Sequence, residues 1–143
     1  MIDPTQPPPI PPPTPMMTPG GRLVDLTATS AQRNYAVFMH LTLLLAYVFW
    51  GISLIAPIIM WQVKRTESNF IDDHGRETVN FHLTLLLYAL VGVAFFLTGI
   101  GACIAIPLWF FAAVLGIVGM ILAATAAGRG EYYRYPACIR FVR

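Results

Sequence analysis

The chain has 143 residues, of which 57% are hydrophobic and only 11% are charged, and its mean hydropathy is +0.65. A soluble domain is about one quarter charged, and a chain of this size could not hide so much apolar surface from water, so composition excludes a soluble fold and predicts one small domain in a bilayer. The net charge of +2, without a basic cluster, excludes a nucleic-acid-binding protein.

Residues 1–29 are predicted to be a disordered, Pro-rich N-terminal tail with a polar lead-in. Nine of the twelve prolines lie within residues 1–20, and proline fixes φ and lacks an N–H, which favours polyproline II or disorder. A solvated tether explains this composition more simply than a ligand for a proline-reading module. Because no Lys or Arg precedes Arg22 and no apolar core follows Met1, no cleavable signal peptide is expected.

Residues 30–143 are predicted to form a helical transmembrane domain with an interfacial C-terminal tail. Tyr35–Val63 is the first apolar block, and its 29 residues hold no formal charge apart from that of His40. As one helix it would be about 44 Å long, well above a bilayer core of about 30 Å. Gly51 and Pro57 interrupt it, so the block is either one kinked, tilted span or a helical hairpin that turns near Gly51–Ser53.

Lys64–Glu77 is a polar connector, in which Asp72 and Asp73 are predicted to cap the start of the next helix. Val79–Ala127 is the second apolar block. Its 49 residues include no Lys, Arg, Asp or Glu, so it is long enough for two spans, with a turn at Thr98–Gly101. Small residues in the last span would allow close helix approach: Gly116, Gly119, Ala123, Ala124, Ala126 and Ala127.

All nine basic residues lie before Tyr35, within residues 64–76, or after Ala127. A hairpin in the first block would place all nine on one membrane face, as the positive-inside rule favours. The prediction is therefore an all-α integral membrane helical bundle of four membrane helices in the cell inner (plasma) membrane, with both termini cytoplasmic and three helices as the alternative. Its weak point is Ile52–Val63, which is only about 18 Å long as a helix.

Two histidines, His40 and His82, would lie at similar depth in the hairpin topology and could bind haem axially. Packing glue between helices is the simpler interpretation. His74 and Glu77 could join nearby aspartates around a metal, but a capped, charged helix start explains them better. No nucleophile–base pair, phosphate loop or cofactor fingerprint occurs in the sequence, so we predict no enzyme activity, no cofactor and no metal.

Two motifs flank the second block: HGRETVNFH at residues 74–82 and GEYYRYPACIRFV at residues 130–142. Together with the helix spacing, they resemble a widespread bacterial family of small membrane proteins of unknown function, which is similar to the chloroplast inner-envelope import subunit of the Tic type. The resemblance covers about residues 34–142 and implies a four-helix membrane domain. The motif residues that we single out are Asp72, His74, Gly75, Glu77, Asn80, Tyr133, Tyr135 and Pro136.

The predicted function is that of a non-enzymatic multi-pass membrane protein that forms part of, or helps to assemble, a protein translocation or transport complex. Its partners would be the lipid bilayer, other membrane proteins or a second copy of itself, with no nucleic acid. The alternative is a small haem- or quinone-associated redox subunit that uses His40 and His82. The resemblance argues against that alternative, since family members commonly carry Gln at the position of His82. A channel ranks below both, because rings of charge are absent from the apolar blocks.

Overall fold

The computed structural model describes residues 16–49 and 54–143, and its regular structure is helical apart from one short β-hairpin. The all-α class predicted from the sequence is confirmed for these residues. Thr42 and Leu43 join the first two helices with right-handed helical angles, so these helices form one interrupted helix. The elements in chain order are β1 (Met16–Met17), β2 (Leu23–Val24), α1 (Ser30–Leu41), α2 (Leu44–Val48), α3 (Ile55–Lys64), α4 (Asn69–Phe96) and α5 (Ala102–Gly128).

When α1 and α2 are counted as one interrupted helix, successive helices run in opposite directions. Tyr35, near the start of α1, donates its hydroxyl hydrogen to the carbonyl of Met60, near the end of α3, over 2.7 Å. The first apolar block therefore reverses direction, although the predicted turn at Gly51–Ser53 lies outside the described residues. α4 and α5 form a second antiparallel pair, joined by residues 97–101. We call the end where α1 and α4 begin the basic end, because all nine basic residues lie at or near it.

Two helices in the described part of the chain, α4 and α5, are long and apolar enough to cross a membrane. Their 28 and 27 residues correspond to about 40 Å of helix each. Only 33% and 22% of their most apolar stretches are buried, whereas a core helix of a soluble protein is mostly covered. α3 has ten residues, about 15 Å, which is half of a bilayer core of about 30 Å. The prediction of four spanning helices is therefore not confirmed.

Gly75 allows α3 to pack directly on α4. A Cβ atom at this position would lie 2.2 Å from Cδ1 of Trp61, far inside any ordinary contact. The indole N–H of Trp61 also donates to Oδ1 of Asp72 at 2.8 Å. The indole thus joins α3 to the first two turns of α4 by apolar packing and a hydrogen bond.

A second tryptophan is placed in the same way between α4 and α5. A Cβ atom at Gly92 would lie 2.1 Å from Nε1 of Trp109, and this indole donates to the carbonyl of Ala89 at 3.2 Å. Both tryptophans therefore lie against α4 at a residue without a side chain. Glycine is required at both positions because a Cβ atom would clash with the indole, and not because the backbone adopts a positive φ.

α4 begins earlier than the acidic residues suggest. Ser68 is the N-cap, and its Oγ accepts a hydrogen bond from the backbone N–H of Phe70 at 3.1 Å. The predicted capping role of Asp72 and Asp73 is therefore corrected. Asp72 still lies in the first turn, where a negative charge favours the helix dipole, and it forms an ion pair with Arg76.

The small residues of α5 face the rest of the chain. Gly119 is buried, and a Cβ atom there would lie 3.1 Å from the ring of Tyr135 and 3.2 Å from the ring of Phe81. These two rings stack with their centroids 3.7 Å apart. The protein therefore covers this face with its own aromatic side chains. The buried small residues of α5 are Ala105, Gly116, Gly119, Ala123, Ala126 and Ala127.

The β-hairpin lies where the Pro-rich tail meets the polar lead-in, and residues 23–25 pair with residues 130–132. The N–H of Asp25 donates to the carbonyl of Gly130 at 2.8 Å, and the N–H of Tyr132 donates to the carbonyl of Leu23 at 2.9 Å. Backbone partners more than a hundred positions away thus give structure to a segment that the sequence groups with the disordered tail. Residues 1–15, with most of the prolines, lie outside the described residues.

Candidate functional site

One face of α4 carries a row of polar side chains, which we call the polar stripe: Asp73, Glu77, Asn80, Thr84 and Tyr88. Their spacing of three or four residues places them on one side of a helix. Residues 131–142, which we call the C-terminal loop, lie along this stripe and contact every member of it. From Asp73 to Tyr88 the stripe is about 22 Å long.

Ion pairs hold the loop at the basic end of the stripe. The guanidinium of Arg134 donates to both carboxylate oxygens of Asp73, at 2.6 Å each. Glu77 is 4% exposed, and it accepts hydrogen bonds from Arg140 at 3.0 Å and from the backbone N–H of Tyr135 at 3.3 Å. Bidentate, charge-assisted bonds of this kind are stronger than neutral ones.

Neutral hydrogen bonds hold the loop further along. Oδ1 of Asn80 accepts from the N–H groups of Phe141 and Val142 at 2.9 and 2.8 Å, and its Nδ2 donates to the carbonyl of Val142 at 2.9 Å. Oγ1 of Thr84 accepts from the N–H of Ile139 at 3.0 Å. These side chains satisfy loop backbone groups that would otherwise be unpaired beside an apolar helix.

The loop reverses direction at Ala137, whose φ of 51° is in the left-handed region. The hydroxyl of Tyr88 donates to the carbonyl of Ala137 at 2.8 Å and holds this turn. Pro136 precedes the turn, and its fixed φ limits the backbone conformations that this part of the loop can adopt. The segment predicted as an interfacial tail therefore follows the polar stripe out to Tyr88 and returns.

Four buried polar side chains meet where α1, α4 and the loop pack together. Nε2 of His40 lies 2.8 Å from Nδ1 of His74, and Nδ1 of His40 lies 2.9 Å from both the hydroxyl of Tyr135 and Oγ1 of Thr78. We call these four residues the histidine cluster. His40 and His74 are 0% exposed, and one hydrogen atom serves the short contact between their rings. One of the two imidazoles therefore donates to the other at this contact.

This geometry does not support the redox alternative. Both ring nitrogens of His40 are taken by protein partners, so neither is free to bind iron. Nδ1 of His82 contacts the carbonyl of Thr78 on its own helix at 2.8 Å. Within the described residues, no group of three or more His, Cys, Asp or Glu side chains could hold a metal ion.

The structure places four of the eight motif residues in the polar stripe or the histidine cluster. Glu77 and Asn80 bind the C-terminal loop, and His74 and Tyr135 belong to the histidine cluster. Asp72 and Gly75 contact the indole of Trp61. The ring of Tyr133 lies 5.0 Å from the guanidinium carbon of Arg22 and is packed away from solvent. Tyr133 therefore packs inside the protein, whereas the prediction of an interfacial tail would have it face the membrane interface.

Sequence reasoning missed several residues that complete the site. Thr78, Thr84 and Tyr88 lie at helical spacing with Asn80 and His74, which was the available signal for a polar face on α4. The loop's arginines, Arg134 and Arg140, carried no such signal. The prediction of an interfacial tail did not anticipate that both arginines pair with carboxylates of α4.

The fold and the site define a small helical protein with two helices that are long and apolar enough to cross a membrane, one buried polar face and a C-terminal loop that covers it. The chain belongs to the magnetosome magnetite crystal formation protein family (MamF_MmsF), whose model matches residues 31–142. The Tic-type resemblance predicted from the two motifs is therefore wrong, since this family accounts for both of them. No curated protein and no solved structure matches the chain.

The N-terminal hairpin is held to the C-terminal loop by two carboxylates. Hydrogen bonds from Arg129 lower the pKa of Glu131 below its ordinary value of 4.5, and Arg22 adds to this effect. Burial raises the pKa of Asp25, but hydrogen bonds, including one from Tyr132, outweigh it and bring the pKa below 3.8. Both groups are therefore more acidic in the folded chain than in the unfolded one.

Acid should release this hairpin. Groups with lowered folded pKa values stabilise the fold above their unfolded pKa values, and this stabilisation is lost as the pH falls through the folded values. We expect exchange of the amide hydrogens of Asp25 and Tyr132, corrected for its intrinsic rate, to accelerate severalfold below the ordinary values of 3.8 and 4.5. In Glu131→Gln the acceleration should be smaller. Protection that persists until the whole bundle unfolds would contradict the linkage.

The two histidines of the redox alternative should differ in their effect on stability. His40→Leu leaves the hydroxyl of Tyr135 and a ring nitrogen of His74 buried without partners, so we expect a loss of roughly 2–4 kcal/mol. His82→Gln removes one bond to its own helix, and we expect a loss of roughly 1 kcal/mol or less. Titration of detergent-solubilised protein with a denaturing detergent, followed by tryptophan fluorescence, measures both. Equal losses of stability would mean that the hydrogen bonds of the histidine cluster contribute no more than the single bond of His82.

Proposed function

We propose that this chain is a non-enzymatic integral protein of the magnetosome membrane, which supports magnetite crystal formation by organising the membrane around the crystal. Membership of the magnetosome magnetite crystal formation family over residues 31–142 carries the proposal. The two candidate spans support a membrane location. The protein would act through its fold and its lipid contacts and not through a reaction at its own residues.

The pairing of the acidic residues supports a role other than direct iron binding. Carboxylates and histidines are the side chains that hold iron ions in proteins. All six acidic residues in the described part of the chain have internal polar partners, and the two major histidines of the site contact each other. The paired acids are Asp25, Glu67, Asp72, Asp73, Glu77 and Glu131.

The proposed topology has four membrane helical segments, with both termini on the cytoplasmic side. α4 and α5 cross the bilayer, while the α1–α3 hairpin enters it from the basic end. The nine basic residues at that end support this orientation, since positive charge is retained in the cytoplasm. Partners would be the lipid bilayer and other membrane proteins or a second copy. Such contacts would use the outward face of α5, because its small-residue face is covered by the chain itself.

The test is deletion and complementation in a magnetite-forming bacterium. We expect removal of the gene to reduce crystal size or number in electron micrographs, and the wild-type chain to restore them. A fluorescent fusion should co-purify with the crystals and stay in the membrane fraction after washing with carbonate. Normal crystals in the deletion strain would contradict the proposal.

Two variants separate membrane organisation from iron binding. Glu67→Gln removes an exposed carboxylate that, within the described part of the chain, pairs only with Lys64, and crystals should be restored as by the wild type. Asn80→Leu leaves every acidic residue intact but removes the main anchor of the C-terminal loop, and restoration should fail. The opposite result would favour an iron site over an organising role.

A further inference from the structure

The bundle is not equally wide along its length. α3 begins six residues before Trp61, and it runs antiparallel to α4, so it extends about 9 Å past Gly75, to the level of Phe81. On the other side, Tyr47 near the end of α2 donates its hydroxyl hydrogen to the carbonyl of Ala113 at 3.2 Å. Among the described residues, the α1–α3 hairpin therefore reaches about half-way along α4 and α5.

Past this level, among residues 16–49 and 54–143, only the C-terminal loop accompanies the α4–α5 pair. The C-terminal loop makes its furthest contact at Tyr88, and the two helices extend beyond it to the turn at residues 97–101. We call this part of the pair the narrow end. Its exposed side chains are apolar, as lipid contact requires, and include Leu90, Val93, Phe96, Ile104 and Phe110.

The charged residues lie at the end of the bundle where more helices pack side by side. The basic end holds all nine basic residues and six of the seven acidic residues, whereas α5 and the distal part of α4 hold none. We call the half of the bundle at the basic end the wide half. In a bilayer with a core of about 30 Å, the wide half would place four helical segments and a loop in one leaflet. The narrow end would place two helices in the other leaflet. The protein thus displaces more lipid area from one leaflet than from the other.

We propose that the chain is a wedge that fits a curved, anionic lipid bilayer whose convex leaflet is the one at the basic end. An inclusion that is wider in one leaflet relieves bending energy where that leaflet is stretched, and membrane association of this kind depends on curvature. The excess of basic residues in the wide half favours anionic headgroups at the same surface. The inference rests on the membrane assignment and not on crystal formation.

Sorting between vesicles tests the wedge directly. The full chain, fluorescently labelled, is reconstituted into a mixture of small and large vesicles of phosphatidylcholine with a minority of phosphatidylglycerol. We expect about a twofold or greater density of protein per lipid area on the small vesicles. Equal density on both would overturn the proposal. Iron is absent throughout, so this result is independent of the deletion experiment.

Orientation provides a second measurement. Cys103 is exposed in the first turn of α5 at the narrow end, and Cys138→Ser leaves it as the only thiol. In small vesicles we expect it to face the lumen, shielded from a membrane-impermeant maleimide. Labelling from outside on most small vesicles would place the wide end in the concave leaflet and overturn the proposal.

Matched tryptophan substitutions change the width at one end only. Val93→Trp with Ile104→Trp enlarges the narrow end at exposed positions, and the preference for small vesicles should fall towards equality. Ile117→Trp with Ile121→Trp adds the same bulk at exposed positions nearer the basic end, and the preference should remain. A similar effect of both pairs would show that shape does not determine the sorting.

Discussion

Gly75→Ala should separate α3 from α4 and destabilise the protein by roughly 2–3 kcal/mol. The new Cβ atom would lie 2.2, 2.5 and 2.9 Å from three atoms of Trp61. The clash involves Cβ and the proximal ring atoms, so a small rotamer change cannot relieve it. The indole would have to leave its bond to Asp72. Denaturing-detergent titration gives the stability, and the tryptophan emission spectrum reports the exposure of the indole.

Gly128→Ala is the matched control. This glycine also lies in a helix, at the end of α5, but a Cβ atom there would be 3.7 Å from its nearest neighbour in Val37. Because alanine favours helix more than glycine does, this variant should be neutral or slightly more stable. Trp61→Leu should suppress most of the Gly75→Ala effect, since neighbouring residues are non-additive. Equal effects of the two glycine substitutions would disprove the steric explanation.

Asn80→Leu should release the C-terminal loop and cost roughly 3 kcal/mol, since it removes three hydrogen bonds and leaves loop backbone groups without partners. Asn80 is 1% exposed, so water cannot replace these bonds in the folded state. We expect a C-terminal epitope tag to be lost rapidly to protease while the helices remain intact. Exchange of the amide hydrogens of Phe141 and Val142 should accelerate together.

Asn34→Leu is the control for this substitution, because Asn34 is exposed on α1 and makes no side-chain hydrogen bond among the described residues. It should leave the protease sensitivity of the loop unchanged. If Asn80→Leu also leaves the loop protected, the ion pairs of Glu77 and Asp73 would be sufficient to hold it, and the proposed anchor would be wrong.

Hydropathy and charge predicted the membrane class, the second apolar block as two helices, and the grouping of basic residues at one end. These are properties of consecutive residues, so no long-range contact is needed to recognise them. The same patterns predicted four spans, a number that the structure does not confirm. α3 is apolar, yet its ten residues are too few to cross a bilayer, and hydropathy alone does not show where a helix stops.

The candidate site was only partly predictable. The spacing of Glu77, Asn80 and Thr84 marks a polar face on α4, but the loop that covers this face is about sixty residues away in sequence. His40 was paired with His82 from similar expected depth, whereas it contacts His74. Depth along a neighbouring helix depends on packing contacts, and the sequence pattern does not encode them.

The sequence by itself indicated a membrane location, two long helices in Val79–Ala127, and three groups of basic residues that a hairpin would bring to one end. Composition and helix length are sufficient for these conclusions because lipid excludes charge and unpaired backbone. Only the tertiary structure decided that the C-terminal loop covers the polar stripe, that His40 meets His74, and that one end is wider than the other. Those features depend on how α1, α3 and the loop pack against α4, and close packing is a property of the assembled chain.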